Sequence, residues 1–161
     1  MVKDGVGSLG REGRMLGLPI VDGRYEAKIS TYFENANDGI ADLKNSIRKA
    51  RRIRISGIPM GLLEELKPLL LDKDLKMILP IGEKPSEDLK KLGEVATTKA
   101  RIFVDYKGKE ANSGSVLFSD RVFNVVWFGN EILEIGRMDY GKCVKCMMGT
   151  FDGGWRYSQK W

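Results

Sequence analysis

The chain has 161 residues, with 27 Lys and Arg against 22 Asp and Glu, no His, two Cys and a net charge of +5. One domain is the default at this length, because a chain of about 150 residues buries roughly 68–70% of its unfolded surface and needs no disulfide staples. The lack of His excludes His general bases, Ser-His-Asp and Cys-His nucleophile systems and every His-containing metal site. No apolar run approaches the ~20 residues of a transmembrane helix. The opening Met1-Val2-Lys3-Asp4-Gly5 lacks a signal-peptide core, and Cys143 and Cys146 stand too close together to frame a secreted fold, so a cytoplasmic protein is expected.

Residues 1–24 carry Gly5, Gly7, Gly10, Gly13, Gly17 and Gly23 without periodicity and read as an irregular Gly-rich arm. Gly5-x-Gly7-x-x-Gly10 matches a dinucleotide fingerprint in letters only. Four preceding residues leave no room for the strand that delivers such a turn, and no helical pattern follows. From Tyr25 the pattern becomes regular, and residues 25–161 are expected to form a single domain. Tyr25 to Phe33 reads as a first strand. Asn35, Asn37 and Asp38 offer capping oxygens to a helix with the apolar face Ile40, Leu43, Ile47 and Ala50. Arg52 to Gly57 alternates as a strand, and Pro59 suits the first turn of a helix carrying Leu62, Leu63, Leu66, Leu69 and Leu70 that Pro68 kinks or ends. Leu75 to Leu79 is the next strand, Ser86 caps a short helix through Leu89 and Leu92, and Arg101 to Val104 is a further strand. This β-α-β-α-β-α-β order predicts an α/β fold with a mixed, mostly parallel sheet covered by helices.

In the second half, Val116 to Phe118 and Val122 to Trp127 read as a β-hairpin turning at Ser119-Asp120-Arg121, and Ile132 to Ile135 as a strand after Gly129-Asn130. Beyond Asp139, a candidate cap, Tyr140, Val144, Met147 and Phe151 recur at helical spacing. Gly149, Gly153 and Gly154 weaken the end of that helix, and Trp155, Tyr157 and Trp161 add aromatic surface after it.

This element order, with an Asp-containing turn, a strand ending at Gly129-Asn130 and a C-terminal helix with Phe151 and Trp155 near its end, resembles the phospholipase D-like fold. Within that superfamily it is most similar to the C-terminal effector domain of TrmB-type archaeal transcription regulators. The active family carries His-x-Lys, four residues, Asp, and then a Gly-Ser-x-Asn loop after the next strand. Asp120 matches the Asp, Ser113 stands where the His belongs and Ser115 where the Lys belongs. Gly129-Asn130 resembles the glycine loop, shifted and with Asn for Ser. The resemblance implies a phosphohistidine chemistry for the active family. A Ser pair with neither base nor cation supplies no such chemistry, which points to a non-catalytic derivative. It also implies a dimer, since such half-domains commonly pair. A cleft offering Ser113, Ser115, Asp120, Gly129 and Asn130 to a small polar ligand is the candidate site, and ordinary loop-tip polarity is the competing reading. The 24 residues before Tyr25 do not suit a winged helix, which departs from the TrmB pattern and implies either action through a homodimer or another protein or a stand-alone derivative of the family.

Cys143-Val144-Lys145-Cys146 places two thiols on one helix face beside Lys142 and Lys145. Three readings stay open: two small residues in the packing face beside Met147 and Met148, half of a zinc site shared between chains, or a redox dithiol. No cofactor is otherwise expected. The run Lys44, Arg48, Lys49, Arg51, Arg52 and Arg54 has no interleaved aromatic residue and reads as a solvated, dipole-complementing face, with non-specific nucleic-acid binding the weaker alternative. Together these readings predict a non-enzymatic ligand-sensing or partner-binding regulatory domain, with a thiol-based redox or metal-binding component as the second function.

Overall fold

The structure, a computed structural model, describes residues 20–21, 24–25, 30–101 and 103–161. The Gly5-Gly7-Gly10 match and most of the Gly-rich arm lie outside the described residues. The short strands β1 (Ile20–Val21) and β2 (Arg24–Tyr25) pair as an antiparallel ribbon. A nine-stranded sheet follows. Its strands are β3 (Ser30–Tyr32), β4 (Arg52–Ser56), β5 (Asp74–Leu79), β6 (Glu94–Thr97), β7 (Phe103–Tyr106), β8 (Lys109–Leu117), β9 (Val122–Phe128), β10 (Glu131–Met138) and β11 (Gln159–Lys160). They lie in the order β11-β6-β5-β4-β8-β9-β10-β3, with β7 hydrogen-bonded to β8.

Among the described residues four helices cover the sheet: α1 (Ala36–Lys49), α2 (Met60–Leu66), α3 (Glu87–Leu92) and α4 (Gly141–Tyr157). Their starts and stops follow local chemistry. Asn35 Oδ1 accepts the Asn37 N–H at 2.8 Å and Ser86 Oγ the Leu89 N–H at 3.2 Å, each satisfying a first-turn donor. Pro59 precedes α2, and Pro68 sits in a 3-10 turn, Lys67–Leu69, that ends it.

Alternation along the strands separates two cores. Ile53, Ile55, Leu75, Met77, Val116, Phe123, Val125 and Ile135 pack with Leu43 and Ile47 of α1, Leu62, Leu63 and Leu66 of α2, and Leu89 of α3. On the other face Ile78, Leu117 and Val122 pack with Val144 and Phe151 of α4.

The sheet is mixed as expected, but the parallel part is confined to β4-β5-β6 and the rest is antiparallel. The expectation of a mostly parallel sheet is thus corrected, for three local reasons. The expected first strand, Tyr25 to Phe33, places Tyr25 in β2 and only the three-residue edge strand β3 in the main sheet, antiparallel to β10, so it does not lead a parallel series, and residues 26–29 of that expectation lie outside the described residues. The third parallel strand is Glu94–Thr97, an acidic and small-residue segment without a strong strand signature, not Arg101–Val104. Finally, Lys107 and Gly108, at φ 52° and 79°, make a two-residue hairpin turn that folds β7 back on β8, and Asp105 Oδ1 accepts the Gly108 N–H at 3.0 Å. A two-residue turn can only join antiparallel strands.

The C-terminal segment also differs. Helix α4 runs through Gly149, Gly153 and Gly154 to Tyr157. The tail then forms β11 against β6, where Trp161 Nε1 donates to Thr97 Oγ1 at 2.8 Å and the Trp161 N–H to Val95 O at 3.0 Å. Trp155 stacks on Phe151 with centroids 6.2 Å apart, and Lys76 and Lys160 lie 5.2 and 5.1 Å from its ring.

Candidate functional site

Strand β8 delivers the two serines. Leu117 faces α4, so Ser115 and Ser113, at alternate positions, share that face of the sheet but are only partly buried. Ser115 is paired in register with Ser56 of β4 and Asn124 of β9, and Ser113 with Val126. Between the serines, Gly114 lets the chain after β4 lie directly on β8. A Cβ there would stand 2.4 Å from Gly57 O and 2.8 Å from the Ile58 N. Gly57 itself has φ +67°, and its carbonyl accepts the Trp127 Nε1–H at 2.8 Å. Ser113 therefore sits at a junction that two glycines make possible and one indole fixes.

A hollow of about 70 Å³ opens at this junction, lined among others by Ser56, Ile78, Pro80, Arg101, Ser113 and Trp127. Among the described residues it has one charged group, the Arg101 guanidinium, and no carboxylate, Lys, Cys or Tyr. None of these described lining side chains is an ordinary general base at neutral pH. The volume is well below the ~300–1,000 Å³ of small-molecule pockets.

The sequence-predicted residues do not all meet. Gly129 and Asn130 form the tight turn between β9 and β10, with Gly129 at φ +61°. Asn130 Oδ1 would lie 3.7 Å from a Cβ on Gly61, which places that turn beside the first turn of α2 and at the Ser113 end of the sheet. Asp120 lies at the opposite end. The span from Ser113 to Leu117 alone is about 13 Å at ~3.3 Å per residue. Asp120 sits in the β8–β9 turn closed by the Phe118 N–H donating to Arg121 O at 2.8 Å, and its carboxylate accepts two bonds at 3.3 Å from Arg121. It borders a separate, larger hollow. Trp127, Gly57 and Ser56 belong to the Ser113 junction and were not singled out as site residues in the sequence. The only signal for them was Gly57 ending a strand before Pro59.

Beyond the reach of α4, no described element covers this face of the sheet. Asn124 is exposed, and a shallow depression of about 220 Å³ runs over Tyr32, Asn124, Val126, Glu134 and Gly136. Partial burial and the neighbouring Glu134 carboxylate raise the Tyr32 hydroxyl above the usual phenol range, although 60% of the residue surface remains exposed.

The thiols are free, Cys143 half-buried and Cys146 exposed. Asp139 does not cap α4: the helix starts at Gly141 after Tyr140, whose side chain makes no capping bond, and Asp139 instead pairs with Arg137 at 3.2 Å. Cys143 is thus the third residue of α4, in its first turn. Cys146 points away from the packing face. Among the described residues no cluster of three metal-ligating side chains occurs, and no helix is long and apolar enough to cross a membrane.

No protein-family model and no curated protein matches the sequence. Solved structures do match. TrmBL2, described as an archaeal chromatin protein with a novel mode of DNA binding, superposes with a TM-score of 0.58 at 10% identity, over 94% of this chain and 62% of its own. NucT from Helicobacter pylori gives 0.58 at 10% identity over 82% of this chain and 98% of its own. Nuc from Salmonella typhimurium, a phospholipase D family member, gives 0.54 at 8% identity over 82% and 95%. The chain has the phospholipase D-like fold, and it spans about 62% of the length of TrmBL2.

Proposed function

We propose that this chain is a non-catalytic regulatory module that works by binding a partner. The observation that carries this reading is the Ser113 junction. Ser113 and Ser115 stand where the resemblance expects a nucleophilic His and a Lys, and the chain contains no His. Among the described residues, the hollow beside Ser113 holds Arg101 as its one charged group, and it has room for little more than a few waters. An arrangement of this kind neither activates a hydroxyl nor encloses a phosphodiester. Its size also favours partner binding over the sensing of a small polar ligand at this point.

The surface proposed for the partner is the open sheet face, with Ser113, Ser115, Asn124, Val126, Glu134 and Tyr32, and its proposed occupant is a second copy of the chain. Ser113, Ser115, Asn124 and Val126 are small and uncharged side chains that let two such faces approach, with the Glu134 carboxylate and the Tyr32 hydroxyl as the polar groups beside them, and the phospholipase D-like resemblance favours pairing of half-domains. The TrmB-like regulatory role, cytoplasmic location and action on nucleic acid through the partner are part of the same proposal. Sedimentation velocity tests the pairing. A concentration-dependent dimer that Asn124→Arg with Val126→Glu converts to monomer is expected, and a wild type that stays monomeric up to about 1 mM, far above a typical μM dissociation constant, refutes it.

A second reading rests on α4. An uncapped helix start leaves its first N–H groups free, and Cys143 lies among them with Cys146 exposed one turn on. This supports a reactive dithiol, or half of a zinc site shared between two chains. Iodoacetamide should modify Cys143 faster than a free thiol at neutral pH, or anaerobically purified protein should carry zinc. Ordinary alkylation together with no metal removes both forms.

A further inference from the structure

A hollow of about 570 Å³ lies at the end of the sheet opposite Ser113. It is formed where α1 ends, β4 and β5 begin and the β8–β9 turn crosses over. Its size falls within the ~300–1,000 Å³ of small-molecule sites. Its walls carry four cations, Lys49, Arg51, Arg52 and Arg121, against two carboxylates, Asp74 and Asp120.

The ion pairs distribute this charge unevenly. Asp74 accepts from Arg52 Nε at 2.9 Å and from Arg54 Nη1 at 3.1 Å. Those bonds, Arg52 first, hold its carboxyl below the usual carboxylate range, so it is ionised and fully engaged. Asp120 is forked by Arg121. Lys44, earlier in the basic run, pairs with Glu65 at 2.6 Å.

The ordinary explanation for cations at a helix end is the macrodipole. That role is already filled, because Lys73 Nζ donates to Arg48 O at 3.3 Å and Ala50 O at 2.5 Å, the exposed carbonyls of the α1 terminus. Lys49 and Arg51 therefore remain without an acidic partner among the described residues, on a concave wall where field is focused. Ser46 Oγ lies 3.5 Å from Arg121 Nη1, and Asn45 and Ser119 add neutral hydrogen-bonding groups to the same wall. The aromatic residue in the wall, Phe118, is 3% exposed, so no ring is available to stack on a base.

We infer that this hollow binds a ligand through its phosphate groups, with Lys49 and Arg51 supplying charge and Arg121, Ser46 and Ser119 supplying directed hydrogen bonds. Two or more anionic groups match Lys49 and Arg51, the two cations of this wall without an acidic partner among the described residues. The phosphates belong either to a free oligophosphate or nucleotide, or to the backbone of a nucleic acid, read without base specificity. The inference is independent of the non-catalytic reading, since no residue is shared with the Ser113 junction.

The test uses the whole chain and two probes, inorganic tripolyphosphate followed by 1H–15N spectra and a fluorescein-labelled DNA duplex followed by anisotropy. Shifts should concentrate at Ser46, Lys49, Arg51 and Ser119 of the native protein, a readout that needs no variant. Lys49→Glu with Arg51→Glu should weaken the bound probe about tenfold or more, the loss of at least one charge-assisted bond. The distant pair Lys84→Glu with Lys109→Glu should leave it unchanged. Tripolyphosphate binding alone identifies a small phosphate ligand. Duplex binding whose log–log salt slope falls in magnitude by about 2 in the double variant identifies the backbone. If neither probe binds, or both bind the double variant as they bind the native chain, the inference is overturned.

Discussion

Gly114 is the point at which sequence, packing and site meet most tightly, and Gly114→Ala tests whether the Ser113 junction is built as described. The new Cβ would lie 2.4 Å from Gly57 O, 2.5 Å from Gly57 C and 2.8 Å from the Ile58 N. The shortest of these is roughly 1 Å inside an ordinary non-bonded contact of ~3.5 Å. All three atoms are backbone, and the segment is tied by the Gly57 N–H to Ile78 O at 2.9 Å and by the Trp127 indole, so no side-chain tip can rotate away. Overpacking of this kind costs about 1–3 kcal/mol. For a chain of this size each kcal/mol moves Tm by about 2–4 °C, so a fall of about 2–12 °C in circular-dichroism melting is expected. The Trp127 indole N–H resonance should shift with it. Gly149→Ala is the matched control: nothing lies within 4 Å of a Cβ there, and the residue is inside α4. It should stabilise by about 0.5–1 kcal/mol from helix propensity alone. Equal Tm changes of the same sign in both variants, or an unchanged Trp127 resonance in Gly114→Ala, would refute the close approach.

Three further outcomes follow from other contacts. Trp127→Phe removes the donor to Gly57 O and should cost about 0.5–1.5 kcal/mol in urea unfolding while leaving the strand pairing intact. Phe151→Ala, in the small core that seats α4, should cost about 3–5 kcal/mol and expose the sheet face beneath the helix to hydrogen exchange. Because the folded Asp74 carboxyl lies below its ordinary value, its stabilising effect is complete above that ordinary value, near 3.8, and disappears as pH falls through the folded one. Urea midpoints measured below about pH 4 should therefore fall less in Asp74→Asn than in the native chain.

Much of this architecture can be read from the residues. Helix starts at Asn35 and Ser86, the stop at Pro68 and the apolar periods of α1 and α2 are local features, and the structure follows them. The strand direction was less legible because it depends on connections. Lys107-Gly108 turns the chain as tightly as an Asn-Gly pair does, yet Lys carries no turn signature. Glu94–Thr97 is held as a strand by its neighbours β5 and β11 and not by its own propensity. The site was legible in part: Ser113 and the Gly129-Asn130 turn share one end of the sheet, whereas Asp120 is separated from them by the Ser113–Leu117 half of β8. A spacing in sequence along one strand fixes the face of each residue but not which end of the sheet supplies its partners. In sequence the basic run reads as one solvated face, and only the ion pairs separate Lys44, Arg52 and Arg54 from Arg48, Lys49 and Arg51, which have no acidic partner among the described residues and of which Lys49 and Arg51 line the hollow.

The central claim is that the Ser113 junction performs no phosphodiester chemistry, and steady-state turnover of bis(p-nitrophenyl) phosphate and of a fluorescent phospholipid by the purified chain tests it most directly. Rates at the buffer blank, identical for the native chain and for Ser113→Ala, are predicted. Turnover that rises with enzyme concentration and is abolished by Ser113→Ala would contradict the account.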